Sequence, residues 1–417
     1  MSLFRHHARI ALAALALLTT ALPGLAEGHW SPSWAASPQP LWGPDFVLPT
    51  GLPERFEPEI TLRQAARLSI GGRRLRVVIS NEYGREPLMI GAASLGLDAG
   101  GSAVAPQSLR PLSFGGRREL RLAPGERIAS DPVALALPAL ARVSVSLYLP
   151  RASRPAGFHF DARETVYLAA GDHSAAPALP AQAQRLSARA YLSELQVETE
   201  APARSVITLG DSLTDGNGAT PGADTRWPDA LAERLAGRGV AVLNAGISGN
   251  RLLRDGMGDS GLTRAAREVF ARPGRRSLVV LLGVNDLGWP GGAFAPAEPQ
   301  VEAETLIDGY RRLIAAARAQ GVHIVGATIP PLERALAGTP LEGHHSPDKE
   351  RRRQQVNAWI RSAGAFDAVL DFDAALRDPA RPQRLLPAYD SGDHLHPGDA
   401  GYRAMAAAVD LDTLLPD

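Results

Sequence analysis

The chain has 417 residues, more than one average domain holds, so two domains are expected. Hydrophobic residues make up 45% and charged residues 21%, a balance typical of folded globular proteins, and the formal net charge of zero argues against a nucleic acid or an anionic membrane surface as partner. The sequence has no cysteine, which excludes disulfides, cysteine-ligated zinc and a thiol nucleophile.

The N-terminus has the pattern of a secretory signal peptide. Arg5 and Arg9 precede an apolar run at residues 10–18 that is too short to span a bilayer, and small residues follow up to Ala26. We predict a signal peptide at residues 1–26 and a mature protein that is secreted or periplasmic; an amphipathic N-terminal helix is the alternative. No later segment predicts a membrane span, so stable membrane insertion is not expected, and no obligate protein partner is indicated.

Residues 27–200 predict a β-rich N-terminal domain. It begins with a Trp- and Pro-rich segment, residues 29–53, interpreted as an extended arm over the domain surface or as part of a substrate wall. Residues 59–198 then alternate apolar and polar side chains, most clearly at 142–149, between glycine-rich turns. This pattern predicts an antiparallel β-sandwich, with a structural or a glycan-binding role open.

Residues 201–417 predict a second domain in which strands alternate with helices. The expected strands are 205–209, 240–244, 277–282, 322–328 and 368–372, and the expected helices are 228–237, 262–270, 301–320, 349–363 and 400–410. This alternation is typical of an α/β domain with a mainly parallel sheet.

The ends of these strands carry polar residues suited to acyl transfer. Ser212 follows the first strand in Gly-Asp-Ser, Gly246 follows the second, and Asn285 follows the third; Asp393 and His396 lie in a late loop. The carboxyl ends of parallel strands meet at one edge of the sheet, so these residues can converge.

Each of these residues has a possible role in that chemistry. A serine hydroxyl needs a base, normally histidine, and the histidine needs an acceptor such as Asp393 to hold its tautomer. The tetrahedral intermediate needs donors aimed at its oxyanion, and the Ser212 amide, the Gly246 amide and the Asn285 side chain suit that role.

The four blocks together resemble the SGNH (GDSL) hydrolase family. The resemblance covers residues 204–417 and implies a flavodoxin-like three-layer α/β/α fold, a triad of Ser212, Asp393 and His396, and no metal or organic cofactor. The runs at 226–229 and 246–253 look like a secreted, xylanase-cluster-associated arylesterase/acylhydrolase branch. That likeness implies small-molecule or polysaccharide ester substrates.

Other interpretations stay open from the sequence. Four residues are candidate substrate contacts: Asn217, Trp289, Phe294 and His394. A metal site could use Asp393, His394 and His396, or the His344-His345 pair, which otherwise predicts solvated or lid residues. The favoured function is a serine esterase that removes short acyl groups, such as O-acetyl, from carbohydrates. The alternatives are a lipase, lysophospholipase or arylesterase of the same fold, a metallohydrolase, and a non-catalytic glycan-binding protein.

Overall fold

A computed structural model describes residues 28–43, 45–155, 157–274 and 276–416. The predicted signal peptide, residues 1–26, lies outside the described residues. Among the helices of these ranges, none is both long and apolar enough to cross a membrane.

Residues 29–199, called here the β region, contain short strands with a single 3-10 turn, Pro106–Ser108, between them. The strands are β1 His29–Ala35, β2 Ile60–Arg67, β3 Gly72–Ser80, β4 Leu88–Ile90, β5 Ala92–Leu97, β6 Arg110–Pro111, β7 Leu120–Leu122, β8 Arg127–Ala129, β9 Val133–Leu137, β10 Arg142–Leu149, β11 Phe158–His159, β12 Val166–Ala170, β13 Gln184–Leu186, β14 Arg189–Ala190 and β15 Leu192–Thr199.

Two antiparallel sheets enclose the core of the β region. One has the order β1-β15-β3-β8, with β9 also paired to β3, and the other has the order β13-β12-β2-β10-β5-β6. Apolar residues of both sheets, including Leu62, Leu75, Val145 and Leu195, belong to one buried cluster. This shared core explains the predicted alternation of apolar and polar residues, because alternate side chains of each strand face it.

The first part of the predicted arm is instead a strand. β1 pairs antiparallel with β15 at the edge of its sheet, and the register shifts between Pro32 and Trp34. An edge strand tolerates proline because one side of its backbone needs no ladder partner. The prediction of an irregular arm from residue 29 onward is therefore wrong for residues 29–35.

Residues 204–416, called here the α/β region, alternate strands and helices as expected. The strands are β16 Arg204–Gly210, β17 Val240–Gly246, β18 Arg276–Leu281, β19 His323–Ala327, β20 Ala368–Leu370, β21 Arg377–Asp378 and β22 Arg381–Leu385. The helices are α1 Ser212–Asp215, α2 Trp227–Leu235, α3 Gly261–Ala265, α4 Val284–Gly288, α5 Ala303–Ala319, α6 Pro347–Ser362, α7 Phe372–Leu376, α8 Asp399–Ala407 and α9 Leu411–Leu414; a π-helical turn, Ala266–Phe270, continues α3.

The first five of these strands form a parallel sheet with the order β17-β16-β18-β19-β20. This order is that of a flavodoxin-like doubly wound sheet, in which the chain changes direction of winding between its first and third strands. The helices form two groups, since α2 contacts α8 and α8 contacts α7, whereas α5 contacts α3 and α6. The ends of β16 and β18 therefore meet at the point where such folds place their ligands.

The two regions are joined along the edge strand β17. It lies beside β1, and the Val242 amide donates to Ser69 Oγ at 3.1 Å. On the same side of the molecule, Arg67 of β2 reaches Glu233 of α2 at 2.7 Å. The β region thus packs against the half of the parallel sheet that carries Ser212.

Candidate active site

Ser212 stands at the tight turn between β16 and α1. Asp211 caps this short helix by accepting the Leu213 amide at 3.0 Å, and Gly216 ends it in the left-handed conformation, with φ of 107°. The Ser212 side chain is buried. Its own amide has no hydrogen-bond acceptor within the described ranges, so this N–H is free to bind a ligand atom.

Three side chains form a continuous hydrogen-bonded chain at this turn. His396 Nε2 lies 2.8 Å from Ser212 Oγ, and His396 Nδ1 lies 2.6 Å from Asp393 Oδ2. The other Asp393 oxygen accepts the amides of Leu395 and His396 at 2.9 and 2.8 Å. The late loop therefore brings to Ser212 an imidazole that can act as a base and a carboxylate that can orient this imidazole.

The Asp393 carboxylate is held in its charged form. Burial alone would raise its pKa, but the hydrogen bonds from the His396 ring and from the two loop amides bring the pKa well below its usual range. Because a carboxylate only accepts hydrogen bonds, His396 Nδ1 carries the proton and Nε2 is free to accept one from Ser212.

Gly246 does not have the predicted role. Its amide donates to Asn244 Oδ1 at 2.8 Å and is not available to an oxyanion. A Cβ on this residue would lie 2.2 Å from the Asp215 amide nitrogen, which shows how closely β17 approaches α1. Gly246 is required for that close packing, and its prediction as an oxyanion donor is wrong.

Gly249, three residues after Gly246, has an amide that is available to an oxyanion, which Gly246 lacks. Its φ is +76°, and no acceptor for its amide is found in the part of the chain that the structure describes. Asn285, which is buried, donates one amide hydrogen to the Asn250 carbonyl at 3.0 Å, so its side chain lies beside the Gly249-Asn250 turn. The second amide hydrogen of Asn285 remains available.

A buried arginine that the sequence analysis missed ties these loops together. Arg264 donates to the carbonyls of Gly210 and Ala245 at 2.7 and 2.5 Å and to Asn250 Oδ1 at 3.0 Å. Glu268 balances its charge at 2.7 Å. One guanidinium thus holds the end of β16, the end of β17 and the Asn250 turn. The only signal in the sequence is the spacing of Arg264 and Glu268 on one helix face.

Two buried carboxyl groups beside the site have pKa values above their usual range. Burial raises the pKa of Asp211 to about 8, and Asp286 adds to this shift. Burial also raises the pKa of Asp286 to about 6, although the amides of Leu252 and Leu253 donate to it. Both residues shape loops, and neither touches Ser212 Oγ or His396 through a hydrogen bond within the described residues.

The predicted substrate contacts differ in how far they are exposed. Trp289 is only 2% exposed, stacks on Phe294 with ring centroids 4.7 Å apart and lies directly against Gly249. It therefore supports the site from behind and does not offer an exposed surface to a substrate. Phe294 and Asn217 are partly exposed, and for them a substrate contact stays a prediction.

His394 belongs to a second His–Asp pair in the same loop. Its Nδ1 lies 2.6 Å from Asp390 Oδ2, and its φ is +62°. His394 and His396 therefore point to different carboxylates, and no group of three metal-ligand side chains converges anywhere in the described ranges. A substrate contact by the partly exposed His394 remains a prediction.

His344 is not the solvated residue that the sequence predicted. It is buried, Phe294 packs edge-on to it at 6.0 Å, and burial lowers its pKa to about 4. A neutral imidazole packs in this apolar setting at lower cost than a charged one.

The α/β region matches a known protein family. Residues 208–404 match the GDSL-like Lipase/Acylhydrolase family. The matched segment contains the end of β16 with the Ser212 turn, the Gly249 and Asn285 turns, and the Asp393–His396 loop. The match extends over most of the α/β region, and no curated protein matches the chain.

Solved structures that align with part of this chain are distant in sequence. An aryl esterase of M. smegmatis is 18% identical, with 51% of this chain and 100% of that chain covered and a TM-score of 0.40. A carbohydrate acetylesterase from Sinorhizobium meliloti is 18% identical, with 49% and 95% covered and a TM-score of 0.37. An acetyl xylan esterase is 19% identical, with 49% and 96% covered and a TM-score of 0.36.

The family match and the serine–histidine–aspartate chain agree on one class of protein. The chain is a serine hydrolase that acts on ester bonds.

Proposed function

We propose that Ser212, His396 and Asp393 are the catalytic triad of this esterase. The observation that carries the proposal is the unbroken chain of hydrogen bonds from Asp393 through His396 to Ser212 Oγ. As Ser212 Oγ attacks the ester carbonyl carbon, His396 Nε2 takes its proton, and Asp393 stabilises the imidazolium that forms. His396 then protonates the leaving alkoxide, and water, deprotonated by the same nitrogen, hydrolyses the acyl-enzyme.

The oxyanion hole in this proposal consists of the Ser212 amide, the Gly249 amide and the Asn285 side chain. Its support is the supply of unused donors: two amides without acceptors among the described residues and one spare hydrogen on a side chain fixed by Asn250. Donors held in place before reaction stabilise the developing charge without reorganisation.

For the substrate, we propose a short acyl group, such as O-acetyl, on a carbohydrate. The space directly behind Gly249 is filled, because a Cβ there would lie 2.2 Å from Met257 Sδ and 3.0 Å from the Trp289 ring. A long acyl chain would find no room in that direction. The predicted signal peptide favours an extracellular or periplasmic substrate, for which polysaccharide esters are suitable. A lipase, lysophospholipase or arylesterase of the same fold is the second candidate.

We also propose that residues 27–200 form one β-sandwich domain and residues 201–417 the hydrolase domain. The shared core of the two antiparallel sheets supports the first of these, and the separate core of the parallel sheet supports the second.

An ester panel tests the proposed substrate. Turnover is measured on p-nitrophenyl acetate, butyrate, octanoate and palmitate, on acetylated xylan and on a lysophospholipid, with Ser212→Ala as the inactive reference. We expect kcat/KM to fall steeply beyond butyrate and acetate to be released from xylan. Preference for palmitate or the lysophospholipid would replace the carbohydrate proposal with the lipase alternative.

A further inference from the structure

A buried histidine of the β region reaches the turn that carries the nucleophile. His159, in β11, has Nε2 2.9 Å from Asp215 Oδ1 and Nδ1 3.0 Å from the Ser37 carbonyl oxygen. All three residues are buried. The triad mechanism makes no use of this contact, although Asp215 is only three residues beyond Ser212.

Asp215 connects the nucleophile turn to the turn that carries the Gly249 amide. Its Oδ2 accepts from both the amide and the hydroxyl of Ser248, each at 2.9 Å. Its own amide donates to the Asp211 carbonyl at 2.8 Å, which fixes it to the start of α1. One carboxylate therefore sets the distance between Ser212 and the residue directly before Gly249.

The partners of His159 determine its charge. A carbonyl oxygen and a carboxylate only accept hydrogen bonds, so both ring nitrogens must carry hydrogens and the ring is an imidazolium. The charged groups that face it are Asp215 and Asp161, which favour its charge, and Arg189, which opposes it. Burial alone would lower the pKa of His159, but the Asp215 carboxylate raises it above its usual value.

The same segment of the β region holds the loop that follows α1. The Arg163 side chain donates to the Ala219 carbonyl, and the Gly222 amide donates to the Arg163 carbonyl at 2.9 Å. Gly218 belongs to this loop and packs against the loop that carries His396, where a Cβ on Gly218 would lie 3.2 Å from the Cβ of His396. The β region thus contacts Asp215, at the end of α1, and also the loop that follows α1. It is therefore part of the active-site architecture.

We propose that His159 is a positioning residue of the esterase: through Asp215 it holds the Ser248-Gly249 peptide so that its N–H completes the oxyanion hole next to Ser212. This inference rests on the proposed function. An oxyanion donor acts mainly in the transition state, so loss of His159 should lower kcat and leave KM nearly unchanged. Misplacement by about 1 Å can cost up to about a hundredfold, and we expect a loss of about ten- to a hundredfold.

The test compares kcat and KM of His159→Phe, His159→Gln, Asp215→Asn and Ser248→Ala on p-nitrophenyl acetate, with kcat divided by the active sites titrated with an organophosphonate. This division removes misfolded protein from the comparison. Glu233→Gln is the matched control, because it breaks another contact between the two regions, that with Arg67, far along α2 from the site.

We expect kcat per titrated site to fall about ten- to a hundredfold in His159→Phe and Asp215→Asn, less in His159→Gln and Ser248→Ala, and not in Glu233→Gln. The double variant His159→Phe/Ser248→Ala should lose less than the product of the single losses, because both act through one carboxylate. If His159→Phe does not fold, the kcat per titrated site of Asp215→Asn tests the proposal, since asparagine keeps the shape of the aspartate side chain.

A kcat per titrated site within twofold of wild type in the folded variants would overturn the positioning role. A KM that rises by the same factor as kcat falls would also overturn the positioning role. These results differ from failure of the proposed function itself, in which the wild-type protein would show no titratable serine or no ester turnover.

Discussion

His396 Nε2 and Ser212 Oγ lie 2.8 Å apart although 184 positions separate the two residues in the chain. The contact joins the turn after the first parallel strand to a loop just before the last long helix. The turn after β16 lies at the carboxyl edge of the parallel sheet, beside the strand that is first in sequence and second in space, and the loop between β22 and α8 reaches it there. The path of the chain between β22 and α8 therefore brings the proposed nucleophile and its proposed base together.

Replacing Asp393 tests the orienting role of the carboxylate. In Asp393→Asn, the side chain can donate to His396 Nδ1 and favour the wrong ring tautomer, so we expect kcat to fall about ten-thousandfold with the fold intact. The measurement is kcat on p-nitrophenyl acetate together with circular dichroism.

Asp390→Asn is the matched control for that experiment. Asp390 makes the same kind of 2.6 Å contact with His394 in the same loop, but it has no link to Ser212. Its kcat should stay within a few-fold of wild type. Equal losses in both variants would show that loop structure, and not the orientation of His396, is what Asp393 provides.

Replacing Asn285 tests the proposed oxyanion hole. In Asn285→Ala, one donor to the developing charge is lost, and we expect kcat to fall about a hundred- to a thousandfold with little change in KM. Steady-state kinetics on an aryl acetate measures both constants. A loss that appears only in KM would assign Asn285 to ground-state binding.

Replacing Arg264 tests what holds the site loops together. Arg264→Met leaves Glu268 buried with Arg267 as its remaining charge partner and removes the guanidinium hydrogen bonds to three loop acceptors, so we expect the free energy of unfolding to fall by about 3–5 kcal/mol. Urea unfolding measures the change. Arg351→Met is the control, because that exposed side chain forms its salt bridge with exposed Asp348, and the change should cost no more than about 1 kcal/mol. Similar losses in the two variants would contradict the role given to Arg264.

The raised pKa of Asp211 predicts a specific dependence of stability on pH. Its folded-state pKa of about 8 lies above the value near 4 of an unfolded chain, so the folded state holds a proton that the unfolded state releases. Stability from this residue is therefore fully present below about pH 4 and is lost as the pH rises to about 8. Asp211→Asn has no such loss.

The difference in unfolding free energy between Asp211→Asn and wild type should consequently grow in favour of the variant from about pH 4 to about pH 8 and then level off. Urea unfolding at several pH values measures it, and other titrating groups cancel in the difference. A difference that does not change with pH would mean that Asp211 ionises normally in the folded protein.

The sequence predicted the parallel sheet and the triad contacts because both follow from local signals. Apolar runs located β16 to β20, and Ser212, Asn285 and the late Asp–His loop each follow a predicted strand or loop boundary. Gly246 and Gly249 could not be told apart in this way, since both follow the strand predicted at residues 240–244. What separates them is the partner of one amide, Asn244 Oδ1, which only the folded turn reveals.

Sequence patterns did not predict contacts between segments that are distant along the chain. Nothing local marks His159 as a neighbour of Asp215 or Arg264 as the residue that ties three loops, because their partners are set by how the two regions pack. Trp289 and His344 looked like exposed loop residues because glycine surrounds them, yet tertiary packing buries both.

Labelling of the nucleophile tests the central claim most directly. The protein is treated with a fluorophosphonate, digested, and analysed by mass spectrometry while residual esterase activity is followed. The account predicts one adduct, on Ser212, that appears in step with loss of activity and is absent from Ser212→Ala, which is itself inactive. Full ester turnover by Ser212→Ala, or inactivation with the adduct on another residue, would contradict it.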